Sequence, residues 1–403
     1  MALLVTHGTR GDVQPFLALA VALRERGHSA LLAAPESFAA QAAEHGVEFA
    51  PLDKGPNRLM NDPVVKEAIE LGYRGMRGKL VAARTVKRIK PLMADVLRDV
   101  GLVARDSRAD VVVHSPSVPA HHAALMLGVP AVLATLQPGW VPTSAFPCPM
   151  VPLPRLPKFL NRATYLVVSA TLRSYAGVIN AWRAEQLDLP RGSAPHSLVL
   201  QAFSSTVTPV DPAWPDTVRT TGFWYLPTDW TPPGDLEEFV APGAVYIGFG
   251  SMAGRDAQRM GELVLEAVRL AGVRAVLATG WGGIAAASSP DVFVVDEVPH
   301  DWLFPRVDAV VHHGGGGTTA AALAAGVPQV VCPFVADQPH WARRMHEVGV
   351  APSPLRQQKL TAEGLAAAIR SAVDLPAAEL GAVIRAENGV GDAVEALESV
   401  VHP

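Results

Sequence analysis

The order of apolar and glycine-rich segments in the C-terminal half constrains the fold of this chain more than any other feature. An apolar run at 307–311 leads into the glycine-rich stretch 312–317, and a helical pattern begins at Thr318. A second apolar run follows at 328–334. A strand, a turn, a helix and another strand form a βαβ unit, whose two strands are parallel. The segment therefore predicts a parallel sheet with a helix that begins directly after glycines.

The same alternation occurs in two series along the chain. The first series alternates apolar runs with helical patterns at 2–6, 15–26, 29–34, 37–45, 48–51, 111–115, 120–127 and 131–136. The second series has further apolar runs and a helical pattern at 245–248, 259–271, 275–278, 293–295, 309–311 and 329–332. Short apolar strands that alternate with helices indicate doubly wound parallel sheets.

At 403 residues the chain is too long for one ordinary hydrophobic core, so we expect two domains. The predicted fold class is α/β, with two Rossmann-like doubly wound domains that face each other across a cleft. We place the N-terminal domain at 1–223, a proline-rich linker at 224–243 and the C-terminal domain at 244–403. The final helix, 392–401, is a candidate to pack back on the first domain. Ligands of such sheets bind beyond the carboxyl ends of the strands.

The composition excludes several classes of protein. Apolar residues make up 49% of the chain and charged residues 18%, which is typical of a globular protein with well-filled cores. The net charge of −4 gives no electrostatic basis for nucleic-acid binding. Cys148 and Cys332 lack metal-ligand spacing, so we expect reduced thiols. With no basic leader before the first strand and no apolar run of membrane-spanning length, we expect a cytoplasmic protein.

Two glycine loops in the second series are typical of phosphate binding. Four glycines, 314–317, stand between two histidines and two threonines where a helix is predicted to begin. Glycine lets the backbone approach an anion, and the free N–H groups of a helix N-terminus donate to it. The other loop carries Gly250 and Ser251 after an apolar run and offers N–H groups and a hydroxyl to the same phosphates. Because no lysine follows the glycines, neither loop is a P-loop.

A third loop follows the first apolar run and carries two candidate bases. Asp12 either caps the helix that we predict to begin near Pro15, or acts as a general base. A helix N-terminus lowers the pKa of a carboxylate, whereas desolvation by a bound apolar acceptor raises it. His7 lies in the same loop and is the alternative base.

Polar and aromatic residues also follow other strands of the second series. Asp337 and Gln338 belong either to a solvated loop or to a site that holds sugar hydroxyls, since a carboxylate and an amide can each make two contacts. Trp281 either stacks on a base or sugar, or packs in the ordinary way.

The remaining charged and histidine residues have less specific patterns. The stretch 74–90 holds seven basic residues and no acidic one. It is either a solvated helix face or a weak contact with an anionic membrane surface through Arg74, Lys79, Lys87 and Arg88. The pair His121-His122 lacks an acidic partner at ligand spacing, so we expect no metal site.

Together these motifs resemble those of the family 1 inverting glycosyltransferases with the GT-B fold, in the bacterial sterol-glucosyltransferase-like and antibiotic-type branch. The stretches in family order are GTRGDVQPF, GFGSM, GWGG, VPHDWLFPRVDAVVHHGGGGTT, AAGVPQVVCPF and DQPHWA. They cover nearly the whole chain, and the pairing of HHGGGGTT with DQPHWA is the most specific of them.

The resemblance implies a nucleotide diphosphate sugar bound to the C-terminal domain. Its expected contacts are Gly250, Ser251, Trp281, Val298, His313, Gly315, Gly316, Gly317, Thr318, Asp337 and Gln338. His313 and the glycine loop would meet the diphosphate, and the backbone of Val298 would meet the base. Asp12 stands where the antibiotic-type branch carries its proposed catalytic aspartate. Glu297 and Ala321 replace a stacking tryptophan and a ribose-binding glutamate of the plant-type pattern, which leaves both UDP- and dTDP-sugars open.

We therefore expect an inverting transfer of a sugar, glucose first, to a hydroxyl of a hydrophobic acceptor such as a sterol, macrolide, polyketide or polyphenol. The acceptor is expected near Trp140 and Phe146, in the proline-rich loop 138–157. The mechanism requires no metal and no other cofactor, because the helix N-terminus stabilises the leaving diphosphate. The alternatives are a sugar-nucleotide epimerase of the same fold, a non-catalytic nucleotide-sugar-binding protein, and an NAD oxidoreductase, which lacks its GxGxxG motif here. We expect a monomer or a homodimer.

Overall fold

The computed structural model describes residues 1–58, 75–150, 156–241, 243–250, 256–280 and 284–401. Contacts among these residues divide the chain into two compact units. Of the described residues, the first unit contains 1–58, 75–226 and 387–401, and the second contains those within Pro227–Ala386. Each unit has its own parallel sheet and its own cores on the two faces of that sheet.

The first unit is built on a sheet of short, buried strands. These are β1 (Ala2–Val5), β2 (Ala30–Pro35), β3 (Glu48–Leu52), β4 (Val111–His114), β5 (Ala131–Thr135), β6 (Leu198–Gln201) and β7 (Val218–Thr220). They pair in parallel in the order β3-β2-β1-β4-β5-β6-β7. The order reverses between β1 and β4, so the switch point at which open parallel sheets bind ligands lies there.

Helices cover both faces of this sheet. They are α1 (Arg10–Glu25), α2 (Ala39–Glu44), α3 (Gly55–Arg58), α4 (Gly75–Ser107), α5 (His121–Leu127), α6 (Lys158–Thr164), α7 (Leu166–Ser174) and α8 (Ala176–Glu185). In α1 the buried residues Val13, Phe16, Leu17 and Ala20 recur at helical spacing and face one core. Leu97 of α4 belongs to the core on the other face.

The second unit repeats the same plan with fewer strands. Its strands are β8 (Val245–Gly248), β9 (Ala275–Ala278), β10 (Val292–Val295), β11 (Ala309–His312) and β12 (Gln329–Val331). The helices are α9 (Gly234–Val240), α10 (Ala257–Ala271), α11 (His300–Leu303), α12 (Gly316–Ala325), α13 (Gln338–Glu347), α14 (Ala362–Ala372) and α15 (Ala378–Ala386). The strand order is β10-β9-β8-β11-β12, all parallel, so the switch point lies between β8 and β11.

The end of the chain belongs to the first unit. The final helix, α16 (Gly389–Val401), places Ala393 and Leu397 in the same core as Phe16 of α1. The stretch 224–243, expected as a linker, contributes to both units. Trp224 belongs to the core of the first unit, whereas α9 places Leu236 in a core of the second.

Two helices begin earlier than their sequence patterns predict. We predicted that α1 would start near Pro15, but it starts at Arg10. Pro15 is thus the sixth residue of the helix, where it has no N–H to donate to the Gly11 backbone oxygen one turn earlier. We predicted that α12 would start at Thr318, but it starts at Gly316, because two glycines form part of its first turn. Both shifts change which residues stand at a helix N-terminus.

The sequence patterns did not predict several elements. The proline-rich and polar regions between the two series contain α6, α7 and α8, and the strands β6 and β7 extend the first sheet. The helices within the described ranges include none with the length and apolar character that crossing a bilayer requires.

Candidate functional site

At the switch point of the first sheet, the loop between β1 and α1 folds Asp12 back onto the helix N-terminus. Thr9 is the N-cap residue, and Asp12 is the third residue of the helix. Asp12 Oδ2 accepts hydrogen bonds from the Thr9 backbone N–H at 2.7 Å and from the Thr9 hydroxyl at 3.1 Å. This is the acidic half of a capping box. The expectation that Asp12 itself would be the N-cap is therefore wrong.

Gly8 makes this position of Asp12 sterically possible. Its φ is +145°, which side chains rarely adopt, and a Cβ placed there would lie 2.2 Å from Asp12 Oδ2. Gly8 was not among the site residues predicted from the sequence. The signal available in the sequence was a glycine directly before the capping threonine.

His7 is buried, and hydrogen bonds hold it on two sides. Its Nε2 lies 2.8 Å from the backbone oxygen of Asp53, and because that oxygen only accepts, Nε2 carries the proton. The Ser117 hydroxyl donates to the His7 backbone oxygen at 2.9 Å. A neutral His7 therefore presents Nδ1 as its acceptor. The bond from Ser117, which follows β4, joins the two loops at the switch point.

Burial moves the pKa values of these two groups toward each other. Desolvation raises the pKa of Asp12, and the Thr9 N–H, the Thr9 hydroxyl and the neighbouring His7 oppose this shift. Desolvation lowers the pKa of His7, against its bond to Asp53 and the charge of Asp12. The result is a carboxylate of increased basicity beside a histidine that favours its neutral form. In these forms each group has a lone pair that can accept a proton.

At the switch point of the second sheet, no side chain of the described residues caps the N-terminus of α12 with a hydrogen bond. Gly315 is the N-cap residue of this helix. The N–H groups of Gly316, Gly317 and Thr318 have no acceptor within the helix, because they lie in its first turn. Thr319 does not face the same space, since its hydroxyl donates to the Gly315 backbone oxygen at 2.9 Å. The arrangement is one in which backbone donors are available to an anion.

His313 lies directly beside this helix start. A Cβ on Gly315 would lie 2.5 Å from His313 Nε2, and a Cβ on Gly250 would lie 3.1 Å from its Cε1. The ring therefore depends on two glycines for its space. Its Nδ1 is buried and has no hydrogen-bond partner in the part of the chain that the structure describes. Burial lowers the pKa of His313 to about 4, so the ring is neutral at pH 7.

His312, the preceding residue, has a structural role instead. Its Nε2 donates to Gln329 Oε1 at 2.8 Å, and its Nδ1 accepts from the Gly314 N–H at 3.1 Å. Burial lowers its pKa to about 3. Both ring nitrogens are thus used within the protein, and of the two adjacent histidines only His313 keeps a nitrogen for a ligand.

Asp337 and Gln338 also form part of the local framework. Asp337 Oδ2 accepts from the indole N–H of the fully buried Trp341 at 2.8 Å. Gln338 Oε1 accepts from the N–H groups of Phe334 and Val335 at 2.8 Å and 3.0 Å. Gln338 can therefore approach a ligand only through its amide N–H groups. The Cβ position of Gly314 lies 3.1 Å from the Gln338 backbone oxygen, which places this loop against the glycine loop.

The remaining residues predicted to bind the donor are Gly250, Ser251, Trp281 and Val298. Gly250 follows β8 with a φ of +59°. The side chain of Val298 is buried in a core of the second unit, so only its backbone is available to a base. Ser251 and Trp281 lie outside the described residues.

The residues expected at the acceptor and at a membrane lie in the first unit. Trp140 and Phe146 are partly buried in the loop after β5, and the buried Trp140 Nε1 has no partner among the described residues. Lys87 and Arg88 are exposed on α4. Arg74 and the side chain of Lys79 lie outside the described residues.

Two family models match parts of this chain. The model described as "Glycosyltransferase family 28 N-terminal domain" matches residues 2–134. The model described as "Erythromycin biosynthesis protein CIII-like, C-terminal domain" matches residues 277–393. The first match contains the loop with Asp12, and the second contains the glycine loop with His313.

Curated relatives extend the similarity over the whole chain. The "Sterol 3-beta-glucosyltransferase UGT80B1" of Arabidopsis thaliana is 34% identical over 100% of this chain and 68% of its own length. The "Sterol 3-beta-glucosyltransferase" of Aspergillus clavatus is 34% identical over 98% of this chain. This chain spans only 29% of that fungal protein.

Solved structures share the fold at low sequence identity. A kitacinnamycin glycotransferase superposes with a TM-score of 0.72 at 21% identity, covering 99% of this chain and 98% of its own. The glycosyltransferase VinC, in complex with dTDP, gives a TM-score of 0.66 at 20% identity and covers 99% of each chain. At these identities the likeness concerns the two-domain α/β fold alone.

Proposed function

Because this chain belongs to the family 1 glycosyltransferases of the GT-B fold, we propose that it transfers a sugar from a nucleotide diphosphate sugar to a hydroxyl of a hydrophobic small molecule. The observation that carries the proposal is the N-terminus of α12, which has no side-chain cap among the described residues and lies beside the ring of His313, whose Nδ1 has no partner there. The second unit thus offers several donors for an anion. A diphosphate supplies the acceptor oxygens that this arrangement requires.

In the proposed donor complex, the N–H groups of the first turn of α12 bind the diphosphate together with His313. A neutral His313 contributes as a hydrogen-bond donor from Nδ1, in the tautomer that places the proton there. These contacts strengthen as the diphosphate leaves, because negative charge then accumulates on its oxygens. The helix dipole acts in the same direction. In this proposal, Asp337 and Gln338 hold the sugar hydroxyls.

The proposed base is Asp12. Its Oδ2 is held by Thr9, and Oδ1 is the oxygen that takes the proton from the acceptor hydroxyl. That hydroxyl oxygen attacks the anomeric carbon with inversion, and the bond to the diphosphate breaks. The raised pKa of the buried carboxyl favours this role, because it makes the carboxylate a stronger base than a solvated aspartate. His7 remains the alternative through its Nδ1.

The acceptor is proposed to be a sterol or a similar rigid, apolar alcohol, and the sugar is proposed to be glucose. The curated relatives at 34% identity carry sterol 3-beta-glucosyltransferase names, which favours this choice over a macrolide or polyphenol. The donor is a UDP- or dTDP-sugar, and dTDP is the nucleotide in the VinC complex. Trp140 and Phe146 are the proposed apolar contacts of the acceptor. The curated relatives do not favour the epimerase alternative.

A weak contact with an anionic membrane surface through the basic residues of α4 stays a prediction, and so does the choice between monomer and homodimer. Lys87 and Arg88 are exposed there, as such a contact requires. It would bring the enzyme to a membrane-dissolved acceptor.

Calorimetric titration with UDP-glucose and dTDP-glucose tests the donor proposal. The expected result is saturable binding of at least one of them and slow release of the nucleotide diphosphate by hydrolysis. Adding a sterol should accelerate that release and yield a glucoside detectable by mass spectrometry. Failure of both sugar nucleotides to bind would contradict the proposal. Tight binding without any release, in the presence of a panel of acceptors, would favour the non-catalytic alternative.

A further inference from the structure

Three histidines from separate segments of the first unit converge on one point. His114 ends β4, His121 begins α5, and His196 lies just before β6. One ring nitrogen of each lies within 4.8 Å of the corresponding nitrogen of the other two. The Nε2 atoms of His114 and His196, 82 residues apart, are 3.0 Å from each other. This group is the histidine cluster.

The cluster lies on the face of the first sheet that α5 covers. Val112 packs with Ala120, Ala123 and Ala124 in one core. His114 follows Val112 by two positions in the same strand and therefore points to the same face. His121 and His196 are partly exposed, so a small ion from solvent can reach the cluster.

The hydrogen bonds around the cluster leave nitrogens available to a metal. His114 Nδ1 donates to the Ser115 backbone oxygen at 2.9 Å, which makes Nε2 a lone-pair donor. Metal-binding histidines commonly carry such a second bond, since it fixes the tautomer and the orientation of the ring. His121 Nδ1 is buried and has no partner among the residues that the structure describes.

We propose that His114, His121 and His196 form a binding site for Zn²⁺ or a related divalent transition metal, with a fourth position for water. Nitrogens about 2.0–2.1 Å from a tetrahedral zinc lie about 3.3 Å apart, close to the observed 3.0 Å pair. The remaining nitrogens lie within 4.8 Å of one another, so metal binding would draw them closer together. An all-imidazole set suits zinc, copper and nickel, whereas magnesium and calcium prefer oxygen. The sequence predicted no metal site, because His196 is far from the other two histidines along the chain and His121-His122 lacks an acidic partner at ligand spacing.

A charged side chain lies beside the cluster and is bonded to a neighbouring histidine. The guanidinium of Arg183 donates to His122 Nδ1 at 2.6 Å. His122 is thereby occupied and is not one of the ligands.

A bound metal would also reinforce the loop that holds the proposed base. Ser115 and Ser117 hydroxyls lie 2.7 Å apart, and Ser117 donates to the backbone oxygen of His7. Fixing His114 and His121 clamps the short connection between β4 and α5 that carries these serines. The metal's role would therefore be to stabilise the first unit, and it takes no part in the proposed transfer reaction.

The test is titration of the chelator-treated full chain with Zn²⁺ alone, followed by calorimetry and thermal melting. The expected result is one bound equivalent and a rise in the melting temperature. Co²⁺ should give the intense visible absorption of a tetrahedral site. The substitution His196→Gln should weaken zinc binding about 100-fold or more. His45→Gln, at a histidine outside the cluster, should leave it unchanged.

A second variant is used if the first one does not fold. If circular dichroism shows that His196→Gln is unfolded without metal, His121→Gln provides the same test at the start of α5. Zinc affinity that is equal in the parent and in a folded cluster variant would overturn the proposal. So would an absence of one-equivalent binding, or a weak octahedral cobalt spectrum.

Discussion

The two units use the same strand–loop–helix element in opposite ways. At the first switch point, the chain's own Asp12 carboxylate folds onto the N-terminus of α1. At the second, the N-terminus of α12 begins on glycines and has no side-chain cap among the described residues. The first helix end has a carboxylate of the chain itself, whereas we propose that the second receives its anion from a ligand. A helix N-terminus therefore indicates an anion site only when no nearby side chain already supplies the charge.

Glycine has a parallel function in both loops. Gly8 leaves the space that the Asp12 carboxylate occupies, and Gly315 leaves the space for the His313 ring. A Cβ would lie 2.2 Å from Asp12 Oδ2 in one case and 2.5 Å from His313 Nε2 in the other. In each unit, a glycine next to the helix start leaves room for a neighbouring side chain that we propose to be functional.

The largest expected effect comes from removing the proposed base. Asp12→Asn keeps an oxygen that accepts from Thr9 but removes the basic carboxylate. We expect turnover to fall by about 10²–10⁴-fold, the usual contribution of a general base, with donor affinity unchanged. Steady-state kinetics and calorimetry measure the two quantities. Turnover within a fewfold of the parent would transfer the role to His7, and His7→Gln would then show the loss.

Gly8→Ala should have the next largest effect. The new methyl group collides with the Asp12 carboxylate and also requires an unfavourable φ, so the base is displaced. A displacement of this kind costs about 100-fold in turnover. Gly11→Ala is the matched control, because the nearest side-chain atom to its Cβ is 4.0 Å away and its φ is ordinary. Equal turnover of the two variants would mean that Gly8 does not position Asp12.

The donor side is tested by His313→Ala and Gly317→Ala. Loss of a hydrogen bond to a charged group should weaken donor binding about 10- to 100-fold for His313→Ala. A Cβ on Gly317 meets nothing within 4 Å, so Gly317→Ala should fold normally. If the diphosphate occupies that space, the affinity of Gly317→Ala for the donor should still fall by about tenfold. Its melting temperature should stay the same or rise. Normal affinity in both variants would remove the proposed phosphate site.

The smallest effect at neutral pH is expected from the buried histidines that make the second unit sensitive to acid. Burial lowers the pKa of His312 and of His340 to about 3. In the unfolded chain, the two imidazoles bind protons below the ordinary histidine pKa near 6.5. In the folded chain, they do so only near pH 3. The contribution of these two neutral histidines to the free energy of unfolding is therefore fully present above pH 6.5. It falls as the pH decreases from 6.5 toward 3, by up to about 1.4 kcal/mol per pH unit for each group.

His340→Leu removes one of these groups and should make the decline of the melting temperature below pH 6.5 shallower. Asp12 has the opposite linkage, since its raised pKa favours the protonated folded form at low pH. Asp12→Asn should therefore leave the decline at least as steep as in the parent. An identical slope in the parent and in His340→Leu would contradict the expected proton linkage.

The sequence by itself determined the fold class and the loops that we propose to carry the chemistry. Apolar runs broken by glycines predicted two parallel sheets, because strand length and helical periodicity are local properties of the chain. The motifs around Asp12 and His313 are contiguous stretches, and each lies at a switch point of its sheet. Residue type and spacing were enough to find them.

Only the tertiary structure decided the roles of single side chains within those loops. Thr9 rather than Asp12 is the helix cap, and Gln338 has its oxygen committed to the loop of Phe334 and Val335. The return of α16 to the core of α1 and the meeting of His114 with His196 join residues that are distant along the chain. Such contacts depend on which strands become neighbours and which faces the helices cover. No local pattern encodes that arrangement, because it is fixed by the packing of the whole unit.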